Sequence, residues 1–376
     1  MDYQNEFSEF GSVTYLDVAA QGPLPRASAQ ALRKAVEWKE QPQRMPSDVY
    51  FGLPDRVRGL LARIIGAKPA EIAVTTGATT GLAAIAWGID WKPEDEVLIA
   101  EREFPAHFTV FAPLAERGLL RLRTVRPRGR FLDAEDYVAA IGPRTRLVSA
   151  SLVRFHDGTR LDTRPLADAC RASGAWLALD ASQCVGAIPL DVHGLGADFL
   201  VSSGYKWLLG PYGTGFFWVS EKRIAEMRPA PFYWTALPGA HVFNSLDLSP
   251  YRPEPIARRW DAAETASLNL VALESSLEFL LRAGVGTVCQ HNRETIRQIL
   301  DRIPRDRVVL ASPSEEDRRG PYVCLAGRSP EKTRELHEKL RAAEVIVSLR
   351  ENTLRVAPHL FTTPSDVERF IAVLTA

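Results

Sequence analysis

The stretch Val201-Ser-Ser-Gly-Tyr-Lys-Trp-Leu-Leu-Gly-Pro-Tyr-Gly-Thr-Gly215 sets a single lysine, Lys206, among small and aromatic residues. A lysine ammonium is strongly hydrated and ordinarily keeps to a solvated face. This stretch does not read as one. Just before it, Asp198-Phe-Leu-Val-Ser202 is apolar and short, as a buried strand is, and Phe216-Phe-Trp-Val219 follows a glycine turn in the same style. Lys206 thus comes just after the C-terminal end of a predicted strand.

Working outward, short apolar runs alternate with helical patterns from about residue 70 to 220. The predicted strands are Glu71–Val74, Glu96–Ala100, Leu120–Val125, Arg146–Ala150 and Trp176–Asp180, together with Asp198–Ser202. Between them lie predicted helices over Thr79–Trp87, Phe108–Arg117 and Arg164–Ser173. That alternation predicts the α/β class, with a mostly parallel sheet covered by helices on both faces. After residue 221 the pattern changes. The segments RPAPFYWTALPG and SPYRPEP read as irregular loop, and a helix is expected from Leu268 to Arg282, ending at Gly284. From Thr287 onward the order helix, strand, helix, strand, helix predicts a smaller α+β lobe. The expected division is an N-terminal arm over 1–15, a large domain over 16–284 and a small domain over 285–376.

Composition narrows the function. Across 376 residues, Lys plus Arg and Asp plus Glu both number 46, so the formal net charge is zero. That leaves no electrostatic footprint for nucleic acid and no polybasic membrane patch. No apolar run reaches the roughly 18–20 residues of a membrane span. MDYQNEFSEF is acidic and polar, unlike a signal or transit peptide. The four cysteines form no CxxC pair and suggest no disulfide framework, so a reducing cytoplasm is the expected location. No histidines show HExxH spacing, and no metal site is expected.

The chemistry begins with Asp180, which ends an apolar strand 26 residues before Lys206. In an open parallel sheet, groups at the strands' C-terminal ends face the ligand crevice. Adjacent strands would bring this acid and this amine to one edge. Such a pair fits a pyridoxal phosphate site, where a lysine binds the cofactor aldehyde and a carboxylate keeps the pyridine nitrogen protonated. Val74-Thr-Thr-Gly-Ala-Thr-Thr-Gly-Leu82 follows a strand and opens a helix, so it offers backbone N–H groups and hydroxyls to a phosphate. It matches neither GxxxxGK[ST] nor GxGxxG.

The order TTGATTGL, EREFPAH, then LDASQCVGAIPLDVHGLGADFLVSSGYKWLLGPYGTGFFWV resembles class V pyridoxal-phosphate enzymes of fold type I. That group includes cysteine desulfurases, kynureninase, isopenicillin N epimerase and several aminotransferases. The resemblance runs from TYLDVAAQG (14–22) to LRVAPHLFTTPSD (354–366). It implies that Lys206 is the Schiff-base lysine and proton shuttle, that Asp180 pairs with the ring nitrogen, and that Gln183 bonds the ring oxygen. Ala78, Thr79, Ser203 and Tyr205 would hold the phosphate, and Phe104 would stack on the ring. Arg355 would grip the substrate carboxylate, with Arg350 near it as a surface residue. Ala20, Arg154 and His156 are expected at the substrate, and Thr265 at a cofactor phosphate shared across a homodimer.

This sequence also departs from parts of that group. Val345–Arg355 contains no cysteine, which disfavours a desulfurase, and the histidine that desulfurases stack on the ring is replaced by Phe104. Glu103-Phe-Pro105 is similar to the kynureninase and epimerase branches. His107 is placed either near the cofactor or simply at a helix start. The expected activity is an aminotransferase for an α-amino acid. A C–S or C–C lyase or an epimerase of the same group is the alternative, and a non-catalytic binding protein the remote one.

Overall fold

The computed structural model describes residues 3–228, 253–263 and 266–376, together with Tyr233, Trp234, Leu237 and Gly239. Its strands, in chain order, are β1 (Thr14–Tyr15), β2 (Ile72–Thr75), β3 (Glu96–Ala100), β4 (Arg121–Val125), β5 (Thr145–Ser151), β6 (Trp176–Asp180), β7 (Phe199–Ser203), β8 (Gly215–Val219), β9 (Val308–Leu310), β10 (Val323–Gly327), β11 (Val345–Ile346), β12 (Ser348–Arg350) and β13 (Thr353–Val356). Among the described residues, seven of them form one sheet in the order β2-β8-β7-β6-β5-β3-β4. The neighbours from β7 through β4 run parallel, and β8 is antiparallel to both β7 and β2.

The central strands WLALD, FLVSS and GFFWV are buried at every position. That is why they read as continuous apolar runs without alternation: helices cover both faces of the sheet. The edge strand β4, RLRTV, instead turns arginines to solvent, which blunts an open edge. β6 and β7 pair directly, with Asp180 opposite Val201, so their C-terminal ends lie together. The expected fold class is borne out, and with it the juxtaposition of Asp180 and the lysine loop.

One predicted helix is corrected. Phe108–Arg117 is not continuous; the chain forms Pro105–Thr109 and then Ala112–Glu116. Pro113 has no N–H to give the Thr109 carbonyl, and it sits in the first turn of the second helix, where none is needed. The proline-rich section expected as loop lies largely outside the described residues. No helix of the described residues is long and apolar enough to cross a membrane.

The C-terminal part forms an antiparallel sheet in the order β12-β13-β10-β9. The helices Val285–Arg302, Pro330–Ala342 and Pro364–Thr375 accompany it, and Ile296, Ile299, Val323, Leu325, Leu354 and Phe370 belong to a core of its own. The N-terminal segment joins this lobe: β1 pairs in parallel with β11, and Leu16 belongs to the same core. Two residues later Val18 and Ala19 belong to the core of the large lobe. The chain then reaches the lysine loop, where the Gly22 N–H donates to the Tyr205 carbonyl at 2.8 Å. A Cβ at Gly22 would lie 2.1 Å from the Lys206 carbonyl oxygen, so only glycine fits.

Candidate active site

Lys206 is carried by the loop between β7 and β8 and is 7% exposed. Its Nζ lies 5.3 Å from the centre of the Phe104 ring and 5.7 Å from that of Tyr205. Burial favours the neutral amine and lowers its pKa to about 8. Asp180 opposes that shift, while Arg355 and Arg350 reinforce it.

Asp180, at the end of β6, is almost fully buried. Its Oδ1 accepts the Ser182 N–H at 2.7 Å, and its Oδ2 lies 3.6 Å from His107 Nε2. Burial alone would raise the carboxyl. His107, Ser182 and Lys206 outweigh it and hold Asp180 below the usual carboxylate range. His107 is wholly buried, and its Nδ1 is 2.7 Å from Ser149 Oγ on β5. Burial opposes a charge on that ring, but Glu103 and Asp180 raise its proton affinity above the ordinary histidine value. Of the two positions expected for His107, the helix start is the one seen. It lies in the first turn of a short helix and turns inward onto the acid.

The anion cradle forms where β2 leads into the helix Ala78–Gly88. Thr76, Gly77, Ala78, Thr79 and Thr80 line a cavity of about 180 Å³ together with Asp180, Gln183, Ser203, Tyr205, Lys206 and Phe104. The Ala78 N–H points to Ser203 Oγ at 3.4 Å. Behind the cradle, a Cβ on Gly215 would come within 2.6 Å of Gly77 Cα, so the close approach of β8 to this turn requires glycine. Gln183 is fixed from two sides: its Nε2 donates to the Ala19 carbonyl at 3.0 Å, and its Oε1 accepts from Trp207 Nε1 at 3.1 Å. One hydrogen of that amide is left for a ligand.

Phe104 is partly exposed at the cavity, and its ring meets Phe155 edge-on at 5.5 Å. Glu103 anchors it from below, with Oε1 accepting the Phe104 N–H at 2.8 Å and Ser151 Oγ at 2.7 Å. Arg154 is placed on this anchor. Its Nη2 donates to the Glu101 carbonyl at 2.7 Å, and its Nη1 is 3.7 Å from Glu103. His156 is buried with Nε2 at 3.3 Å from Asp157 Oδ2. None of Ala20, Arg154, His156 and Arg355 lines the cavity, whereas Val153 and Phe155 do. Ala20 sits in the turn after Asp17, next to the Ala19 carbonyl that holds Gln183. Thr265 lies outside the described residues.

Arg355, on β13, is 2% exposed. Its Nη1 donates to the Phe155 carbonyl at 3.2 Å, and its Nη2 reaches Ser348 Oγ at 3.3 Å and Asp17 Oδ1 at 3.5 Å. Ser348 Oγ in turn lies 2.7 Å from Asp17 Oδ2. Burial raises the Asp17 carboxyl, with Ser348 and Arg355 pulling against it. The Nε of Arg355 is buried without a partner. Asp17 and Glu103 are among the site residues that sequence reasoning missed, with Phe155, Ser182 and Ser348.

A sequence profile described as Aminotransferase class-V matches residues 14–358. The chain belongs to that family. Among class-V relatives, it is 27% identical over 380 residues to isopenicillin N epimerase from Streptomyces clavuligerus, covering 97% of this chain and 95% of the other. It is 29% identical over 343 residues to a kynureninase of Xanthomonas oryzae pv. oryzae, covering 85% and 79%. A solved structure of C-DES, a lysine-to-alanine mutant with glycine covalently linked to its PLP cofactor, superposes with a TM-score of 0.86. The identity there is 22%, with 99% of this chain and 98% of the other covered, so that likeness bears on the fold. The class-V cavity described above fits such a cofactor. It pairs a buried ionised acid with an amine of depressed pKa and ends at a helix N-terminus backed by glycine.

Proposed function

We propose that this class-V chain is a pyridoxal-phosphate enzyme acting on an α-amino acid, and that its reaction is transamination. The cofactor, when bound, supplies an electron sink for charge developed at the substrate's α-carbon. Lys206 would hold the cofactor through its aldehyde and would move the proton at the substrate's α-carbon. A pKa of about 8 leaves a useful neutral fraction near neutral pH. Asp180, ionised and oriented by His107 and Ser182, faces the ring nitrogen. The start of the helix Ala78–Gly88, with Thr79, Ser203 and Tyr205, takes the phosphate, and Gln183 gives its free hydrogen to the ring oxygen. Phe104 covers the ring. Arg355 takes the α-carboxylate as a planar fork. Arg154 acts through Glu103 as a positioning residue for Phe104. A homodimer in a reducing cytoplasm, where four free buried thiols would persist, completes this reading.

One observation favours transamination over a two-base epimerisation. Among the described residues that line the cavity, Lys206 alone has a proton affinity near neutrality: burial pushes Tyr205 up, and Asp180 is held low. A single base can take a proton from one carbon and return it to the next on the same side. Inverting the α-carbon with two bases needs a donor on the opposite side, and the ring lying 5.3 Å from Nζ is the apolar Phe104. A desulfurase thiol is disfavoured, because burial pushes Cys184 and Cys324 up to about 12.

The test is a half-reaction. Panels of L- and D-amino acids are added to cofactor-loaded enzyme without any keto acid, and the visible spectrum is followed. Conversion of the cofactor to its amine form, with one keto acid released per site, is expected. Return of the starting spectrum with the amino acid inverted or cleaved would replace transamination by epimerisation or lysis.

A further inference from the structure

We propose that Arg350 binds a second carboxylate on the substrate, so that the enzyme selects a dicarboxylic amino acid. The inference rests on the reading that Arg355 holds the α-carboxylate. β12 and β13 pair antiparallel, with Ser348 opposite Arg355 and Arg350 opposite Thr353. Cross-strand partners share a face, and every second residue returns to it. Ser348, Arg350, Thr353 and Arg355 therefore project from the same side of the hairpin. That side faces the site: Ser348 Oγ is 2.8 Å from Asp17 Oδ1, Thr353 Oγ1 donates to the His156 carbonyl at 3.2 Å, and Arg355 reaches the Phe155 carbonyl. The two arginines are diagonal neighbours on it, so both can be offered to one short diacid.

The charge count points the same way. Arg355 has Asp17 within 3.5 Å. Arg350 is half-buried, donates one hydrogen bond at 3.4 Å to the Leu349 carbonyl, and makes no ion pair among the described residues. Elsewhere arginines of this chain at comparable or greater exposure do find acids, as Arg128 finds Asp136 at 2.8 Å and Arg144 finds Glu96 at 3.2 Å. Burial and the neighbouring Arg355 both work against the charge on Arg350, and Asp17 relieves it only in part. Arg355 and Arg350 thus share the substrate end with one carboxylate, Asp17. A single substrate carboxylate neutralises one of these cations; a second, on the side chain, relieves Arg350.

Calorimetry on the cofactor-loaded enzyme tests this without turnover. Succinate, glutarate and adipate are titrated, each against the monocarboxylate of the same chain length. At least one diacid should bind about 10- to 100-fold more tightly than its monoacid, the range expected for a hydrogen-bonded charge. Arg350→Leu should abolish that preference while leaving monoacid affinity within about twofold, and Arg350→Lys should keep part of it. Equal affinities in the wild type would overturn the proposal. So would an Arg350→Leu variant that loses diacids and monoacids alike, since Arg350 would then be a second hand on the same carboxylate. If that variant does not fold, Arg350→Gln and Arg350→Lys give the same comparison. Monoacid binding that survives Arg355→Ala unchanged would instead sink the underlying reading, and this proposal with it.

Discussion

At one end of the site Asp180 and Lys206 arise from neighbouring strands of a single sheet and are packed by residues of the same lobe. At the other end Arg355 is held by a carbonyl 200 residues earlier, and its partner Ser348 bonds an aspartate 331 residues away. The cofactor end is thus built by local strand order, and the substrate end by three distant segments brought together. This difference means that one end can form within a single sheet and the other cannot. It also separates the consequences of mutation.

The largest effect is expected at Lys206. Lys206→Met should reduce turnover by about 10³-fold or more and abolish labelling by borohydride, with circular dichroism unchanged. Retained turnover would break the assignment. The same variant sharpens the account of burial. In the folded chain the amine has a pKa of about 8, against 10.5 for an ordinary lysine. Between those values the unfolded chain binds a proton that the folded chain does not. Stability of the cofactor-free protein should therefore climb as pH rises from about 8 to about 10.5, and the full penalty is present below about 8. Lys206→Met should flatten that slope and add on the order of 3 kcal/mol at pH 7, measured by denaturant melts.

Arg355→Ala comes next. It should raise the amino-acid KM by about 10²-fold while cofactor affinity, followed by absorbance, stays within about twofold. It also strands Asp17, so a stability loss of about 3 kcal/mol is expected. Loss of cofactor with substrate affinity preserved would erase the distinction between the two ends. The smallest effect belongs to Arg102, whose exposed ion pair with Glu351 links the loop before Phe104 to the hairpin carrying Arg355. Arg102→Ala should cost less than about 1 kcal/mol, with KM nearly unchanged. A large KM rise would mean that this exposed contact, too, sets the substrate end.

The same division governs what the sequence made legible. Asp180 and Lys206 follow apolar strands at close spacing, and the Thr-rich turn opens a helix; each is a short-range signal with a direct chemical meaning. The mostly parallel sheet followed from runs such as Trp176–Asp180 and Asp198–Ser202 alternating with helical patterns. Arg154 was expected at the substrate, and its place on Glu103 depends on a meeting of β3 and β5 loops that no local pattern announces. The Asp17–Ser348–Arg355 cluster is hidden for the same reason, and Arg350 looked like a surface arginine until its face of the hairpin was known. His107 was half-visible. It lies three residues after Phe104, but only the pairing of β5 with β6 puts Ser149 and Asp180 on either side of its ring.

The segment from Thr14 to Gly22 carries a consequence for biosynthesis. It pairs with β11, supplies Asp17 to Arg355, gives the Ala19 carbonyl to Gln183 and abuts Lys206 through Gly22. These residues are made well before the strand and arginine they pair with. Until those emerge the central sheet can form, but Arg355 does not yet exist. Emergence of β11 through β13 is therefore the step that completes the cluster, and a nascent chain stalled before β11 would leave Asp17 without its arginine.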